Sequence, residues 1–475
     1  MTERLDVSAN GGAVDAARLP ESAVQRIARW VVGVGADNTP MPVRRVAGRA
    51  LIDTVAVALA GSTTDIARKT LDVMQSSQYA ASTPGAAVWH NDGARLAAGG
   101  AAFANAVAAH ALDYDDNCYA GFVHGSAVIA PAAFAATEMV RGSGATLIDA
   151  FIAGAEAEFA LASALGRGPY DRGWWTTGLY GAFGACAAAC RALALSVEQT
   201  SAALGLAVVG SAGMKAGFGS DAKAILLGNA AQQGVMMALL ARQGCSGPAH
   251  ALEGPNGFAA LINGGVFDVD ALRLGQTWRL LTPGLDIKRI PVCLSSHAAA
   301  DALAEMLGHS AEDAYDRDTI VAIDCDVPPI VLKNLIYSNP QTAQQAQFSM
   351  QFALACICCD GEVTLDSLTP AVLARDDIRA AMNRVSMHSS ERWDATLCER
   401  APEGAFVTVR FADGGTMQAF RDYPVGAASK PLSDAQLQQK FLDCATRAMP
   451  EASARRILDT LGDIETLATL DTLFP

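Results

Sequence analysis

The sequence predicts a mainly α protein, a large all-helical domain with a smaller α+β lid domain inserted into it. Three observations carry this reading. From Pro20 to about Gly284 the text is Ala-rich and helical, with short breaks. After Pro283-Gly284 it changes to a β-branched, alternating run followed by a hairpin signal. From Ser433 a last helical run extends to Phe474, placed to pack back onto the first helices. The boundaries expected are 1–284 for the helical domain, 285–424 for the lid, and 425–475 for C-terminal helices that complete the first domain. A chain of 475 residues also calls for more than one core, since single cores stop growing beyond roughly 250–300 residues.

Ser22-Ala23-Val24-Gln25 reads as a capping box, and Val24, Ile27, Ala28 and Val31 recur at helical spacing behind it. Ala50 to Ala60 and Thr146 to Ala164 read the same way. Asn117 to Thr137 and Gly173 to Cys190 carry no charge and approach the length of a membrane helix. They are rich in Gly, Thr, Ser, Asn or His and lack an aromatic belt, so they read as helices buried inside a core. No strands alternate with these helices, which excludes a doubly wound sheet. In the lid, Thr319 to Val327 reads as a half-buried strand, and Phe406–Phe411 with Thr416–Phe420 flank the turn Asp413-Gly414-Gly415. Ala343 to Cys359 and Pro370 to Met387 read as helical, and Ser433-Asp434-Ala435-Gln436 caps the final run.

The chain has 35 Lys+Arg against 49 Asp+Glu, a net charge of −14, which makes nucleic acid and an anionic membrane surface poor partners. Met1-Thr2-Glu3-Arg4-Leu5-Asp6 lacks the positive-then-apolar pattern of a secretion signal. Eleven cysteines, mostly in apolar helical text, fit reduced thiols in a cytoplasmic protein. Cys356-Ile357-Cys358-Cys359 has no second Cys or His pair at zinc-site distance, so no metal is assigned there.

The densest polar constellation is His110-Ala111-Leu112-Asp113-Tyr114-Asp115-Asp116-Asn117, followed by His124-Gly125-Ser126. Three carboxylates in otherwise apolar text are costly to bury unless they are paired or used, and a His held by a carboxylate can move protons near neutral pH. The alternatives are a loop whose acids cap the next helix, and a metal site from His110, Asp113, Asp116 and His124. Ser220-Asp-Ala-Lys223 formally fits a Ser-x-x-Lys nucleophile motif but lacks its companions, and Gly33-Val-Gly35 lacks a third glycine. His90, His250, His309 and His388 are isolated and read as structural.

His110-Ala-Leu-Asp-Tyr-Asp-Asp116, preceded by Asn105 and followed by His124-Gly-Ser126, resembles the signature of the MmgE/PrpD family. That family includes 2-methylcitrate dehydratase, cis-aconitate decarboxylase and iminodisuccinate epimerase. The resemblance continues in Leu51–Gly61, in Tyr170–Gly178 with Tyr180–Ala185, and in Phe218–Lys223 with Gly228–Ala231. It extends to Lys288-Arg-Ile-Pro291 with Ser296-His297, and to Ala346–Met350. It implies a cofactor-independent enzyme, commonly a homodimer, that removes a proton next to a carboxylate of a small di- or tricarboxylate. A lyase of dehydratase or decarboxylase type leads; an epimerase or isomerase of an aspartate- or succinate-derived acid such as iminodisuccinate is the alternative, and a non-catalytic carboxylate-binding protein the third.

Carried over residue by residue, the resemblance makes His124 the principal acid/base and Asp113 its orienting carboxylate. Lys223 and Lys288 hold carboxylates and the enediolate, and Tyr170 is a second proton carrier. His297, Asn117 and Trp175 are expected to touch substrate. The sequence departs from the family at Trp175, where a histidine is usual, and at Asn117, where threonine is common. The step from Asn117 to His124 is also about one residue longer than is usual in the family. These departures favour a different substrate shape or a reaction needing fewer proton donors, such as epimerisation.

Overall fold

The structure, a computed structural model, describes residues 21–76, 85–90, 93–308 and 319–474. The polar stretch Met1–Asp6 and the isolated His309 lie outside the described residues. The protein is mainly helical with one small sheet. At Ser22 the side chain accepts from the Gln25 N–H and the Gln25 side chain accepts from the Ser22 N–H, so two donors at the helix start are satisfied reciprocally. The helix Ala23–Gly33 then buries Val24, Ile27, Ala28 and Val31, the stripe read from the sequence.

The core of this part is a stack of Ala-rich helices, including Met41–Gly61, Ala98–His110, Ser126–Met139, Gly144–Leu165, Thr176–Ala192 and Ala222–Arg242. Every residue from Thr176 to Cys190 is buried, which explains an uncharged stretch that solvent never meets. Small residues set the spacing: a Cβ added at Gly154 would come within 2.7 Å of the Gly184 carbonyl, so the two helices cross in near backbone contact. Ala222–Arg242 is long and apolar enough to cross a membrane by length and composition, but it packs along Ala98–His110 and Thr176–Ala192. The strands found here, Ala86–Ala87 and Arg95–Leu96, form a two-residue ladder.

Beyond residue 290 a second hydrophobic cluster surrounds a four-stranded sheet. Its strands are β1 (Ile320–Asp326), β2 (Val385–His388), β3 (Ala405–Phe411) and β4 (Thr416–Arg421), in spatial order β2-β1-β3-β4. The expected strand and hairpin are present, with β3 and β4 antiparallel around Asp413-Gly414. The helical reading of Pro370 to Met387 needs correction. Helices Pro370–Leu373 and Asp376–Met382 end before β2, which pairs parallel to β1. Four residues are too few to show a period, and pairing with β1 decides their conformation. Ala343 to Cys359 is likewise two helices, Ala343–Ala346 and Met350–Asp360.

The C-terminal helices Asp434–Ala445 and Glu451–Gly462 pack on Met41–Gly61, and Phe441, Cys444, Ile457 and Leu461 belong to the N-terminal helices' core. Buried Lys440 fixes this return: its Nζ lies 2.6 Å from Asp53 Oδ1 and donates to the Tyr114 carbonyl at 3.0 Å. The return therefore supports the loop that carries the acidic constellation.

Candidate active site

The helix Ala98–His110 stops at His110, and the chain turns with Asp113 at φ 49°, a left-handed conformation that Asp tolerates better than most residues. The turn puts the Asp113 carboxylate between two lysines. Lys223, in the first turn of Ala222–Arg242, pairs with Oδ1, and Lys288 lies 2.9 Å from Oδ2 while also donating to the Asp113 carbonyl at 2.6 Å. All three side chains are buried. Burial alone would raise the Asp113 pKa, but the two ammonium groups outweigh it and hold the carboxyl well below the usual range. Burial would likewise lower Lys288, and Asp113 and Asp115 outweigh it. Lys223 and Lys288 against Asp113 make this trio net positive, and Asp115, whose charge also acts on Lys288, offsets part of it.

The orienting carboxylate of His124 is Asp115, which corrects the assignment to Asp113. Asp115 Oδ2 lies 2.8 Å from His110 Nδ1 and 3.3 Å from His124 Nδ1, with the two rings 4.9 Å apart. Asp113 is unavailable for this because the lysines hold both its oxygens. His124 Nδ1 is also 2.9 Å from the Asp116 carbonyl, which can only accept, so Nδ1 carries a proton and Nε2 is the nitrogen left to take or give one. Burial pushes His110 down to about 4, so its neutral ring donates to Asp115, which stays ionised: burial works against that charge, but the two histidines prevail. Asp116 turns away from them toward the Ser126 hydroxyl, and burial pushes its carboxyl up to about 8.

Asp113, His124 and Lys223 border a small cavity of about 40 Å³. Asp113, Asn117, Phe122, His124, Tyr170, Trp175, Phe218 and Lys223, from the helices of the first 284 residues and the turns between them, form one wall. Cys293, Leu294, Asn334, Phe348 and Glu403 form the other. Lys223 Nζ stands 5.0–5.3 Å from the ring centres of Trp175, Phe218 and Phe348, an apolar cage that strengthens its charge. Asn117 is pinned by paired backbone hydrogen bonds with Asp286. Roomier depressions exist, such as one of about 520 Å³ beside Arg45 and Arg49, but those arginines are paired with Asp434.

Three further expectations change. Lys288 does not line the cavity and acts on it through Asp113. His297 is outside it too: Nε2 faces the Val292 carbonyl at 3.0 Å, and burial with Lys288 nearby pushes the ring down to about 3, so it is a neutral packing residue. Tyr170 lines the cavity but donates its hydroxyl to Asn334 Oδ1 at 2.9 Å, and burial raises the phenol above its ordinary value, so it cannot serve as a base near neutral pH. Ser220 donates to the Gly217 carbonyl and is no nucleophile.

Asn334, Glu403 and Cys293 have no motif that marks them, whereas Phe348 lies inside the matched segment Ala346–Met350. Asn334 Nδ2 donates to Ser295 Oγ at 3.0 Å, Ser295 donates to Glu403, and Tyr119 donates to Glu403 Oε2 at 2.8 Å. The alternative metal grouping of His110, Asp113, Asp116 and His124 does not come together; the donor atoms that converge belong to His110, Asp115 and His124, with each histidine within 3.3 Å of Asp115.

The MmgE/PrpD N-terminal domain matches residues 25–269, and the MmgE/PrpD C-terminal domain matches residues 290–465. The chain is 28% identical to a cis-aconitate decarboxylase of Homo sapiens, over 90% of this chain and 89% of that protein. It is 26% identical to a cis-aconitate decarboxylase of Mus musculus, over 95% and 93%. It is 24% identical to one of Aspergillus terreus, over 94% of both.

Proposed function

This chain belongs to the MmgE/PrpD family, and on that premise we propose that it is a cofactor-independent decarboxylase of a small tricarboxylate, with cis-aconitate the first acid to test. The observation that carries the reading is a positive centre, Lys223 and Lys288 around Asp113, beside a single histidine whose free nitrogen borders the cavity. When a carboxylate leaves as CO₂, its bonding pair stays on carbon, conjugated with a neighbouring carboxylate. Lys223 stabilises that developing charge from an apolar cage, and Lys288 adds to it through Asp113. One proton must then reach carbon. His124 supplies it from Nε2 as the imidazolium, which ionised Asp115 stabilises at Nδ1, and solvent reloads the ring.

Proton count favours this over the isomerase reading and reverses the expectation drawn from Trp175 and Asn117, because epimerisation is the reaction that needs more proton carriers. Epimerisation needs a base on one face of the carbon and an acid on the other. Tyr170, the candidate for the second face, is committed as a donor to Asn334. Decarboxylation needs one proton from one side. The cavity of about 40 Å³ holds only a few waters at roughly 10–15 Å³ each, so the walls must part to admit a tricarboxylate.

Incubation with cis-aconitate in deuterated water tests the proposal. CO₂ release matched by one deuteron in the product is the expected result. Deuteron wash-in with inversion and no CO₂, across a panel of di- and tricarboxylates, would replace it with the epimerase reading. Thermal stabilisation by acids with neither exchange nor CO₂ would leave a carboxylate-binding protein.

A further inference from the structure

The aromatic part of the cavity wall carries cations outside the cavity. Phe122 and Tyr170 both line it and stack on each other at 4.8 Å and 26°. Lys215 Nζ sits 3.0 Å from the Tyr170 ring centre, and Arg167 Cζ sits 5.1 Å from that of Phe122. Neither cation lines the cavity; Arg167 is exposed and Lys215 half-buried. The exposed Lys333, next to the Asn334 that holds Tyr170, is near enough for its charge to act on Lys215. The one carboxylate acting on Lys215 is Asp171, which already pairs with Arg167 at 3.1 Å. Among the described residues Lys215 has no carboxylate within 4.0 Å. Three cations outnumber the two acids, Asp171 and the Glu403 whose charge reaches Tyr170, a local excess of positive charge on a chain whose net charge is −14.

We propose that Arg167, Lys215 and Lys333 form an outer docking site for polycarboxylate anions, where substrate waits on the Phe122–Tyr170 wall before the cavity opens. The idea rests on the polycarboxylate reading of the inner site. An acidic protein repels a polyanion at long range, so capture needs a positive patch at the point of access. Lys215 is unsatisfied in the way such a site requires. Burial lowers its pKa to about 8, with Lys333 and Arg167 adding to that and Asp171 opposing. A bound anion would supply the missing counter-charge, keep the amine protonated and slow its acylation.

Trace acetylation of the intact protein with acetic anhydride near pH 8, read at Lys215 by peptide mass spectrometry, uses this directly. The probe is tricarballylate, a saturated tricarboxylate, against sodium chloride at equal ionic strength. Saturable protection of Lys215 by tricarballylate beyond that of chloride is expected. In an Arg167→Gln/Lys333→Gln variant, checked for an unchanged melting curve, the half-protecting concentration should rise about fivefold. No protection beyond chloride, or equal protection in the double variant, would overturn the outer site. Acetylation needs no turnover. Failure to decarboxylate cis-aconitate would therefore remove the inner-site reading alone, and unprotected Lys215 in an active enzyme would remove the outer site alone.

Discussion

On the helical wall of the cavity, ionic groups are held by ionic partners: Asp113 by Lys223 and Lys288, His124 by Asp115. On the wall formed by residues 293 to 403, the polar groups are held by neutral donors and acceptors: Asn334 by Tyr170 and Ser295, and Glu403 by the hydroxyls of Tyr119 and Ser295. Buried charges interact strongly and at range, whereas a neutral hydrogen bond contributes modestly and locally. The difference separates labour. In the reaction we propose, the helical wall would hold what changes charge, and the other wall would fix the shape and orientation of the ligand.

The comparison breaks first, if it breaks, at Lys288. Lys288→Met leaves Asp113 with one cation in a buried setting, and breaking a buried pair this way typically costs about 3–5 kcal/mol. Urea denaturation should show that loss, with turnover on cis-aconitate falling together with affinity. Unchanged stability would mean that the Asp113 centre is wetter than its burial indicates. His124→Ala should follow, with kcat lowered by about 10²–10⁴-fold and the melting curve unchanged. Near wild-type kcat would move the proton to Lys223.

How far this contrast was legible in the sequence depends on the range of the contacts. The helices, the hairpin and the capping boxes at Ser22 and Ser433 are local patterns, and the structure has them. His110, Asp113, Asp115, Asp116 and His124 stood out because charges inside apolar text need partners. Which acid serves which histidine depended on the left-handed turn at Asp113 and on lysines more than 100 residues away, as the 110-residue separation of Asp113 from Lys223 illustrates. The neutral wall was invisible for the same reason: Tyr170 and Asn334 are 164 residues apart, and an Asn ending a six-residue helix carries no signal of its own. His297 misled because adjacency to Lys288 in sequence does not set which way a ring faces.

A third prediction concerns the layer behind the helical wall. Asp116 and Glu158 are fully buried, and each carboxyl is pushed up to about 8, by burial first; Ser126 opposes this at Asp116, while at Glu158 the charge of Asp116 adds to it. In the unfolded chain both ionise near pH 4, so between about 4 and 8 the folded state binds more protons than the unfolded one. Their contribution to stability then falls as pH rises through that window, by at most about 1.4 kcal/mol per unit for each group, while His110 and His297, held neutral by burial, oppose it below about 6.5. Melting temperatures from about pH 6.5 to 8 should decline, and Asp116→Asn with Glu158→Gln should flatten the decline. An equally steep slope in the double variant would place its origin elsewhere.

The smallest effect is the most discriminating, because it sits where the two walls meet. Tyr170 comes from the helical part of the chain but packs in the second core and donates to Asn334 across the cavity. If it belongs functionally to the neutral wall, Tyr170→Phe removes one hydrogen bond and leaves Asn334 bonded to Ser295. Such a bond contributes about 0.5–1.5 kcal/mol, so KM should rise by about two- to tenfold while kcat holds. If the tyrosine carries a proton, kcat should instead drop by about 10²-fold or more, as for His124→Ala. The split between KM and kcat therefore assigns Tyr170 to one wall or the other. A kcat loss of that size would also restore the two-sided proton chemistry that epimerisation needs, because it would require the phenol to leave Asn334 when substrate binds.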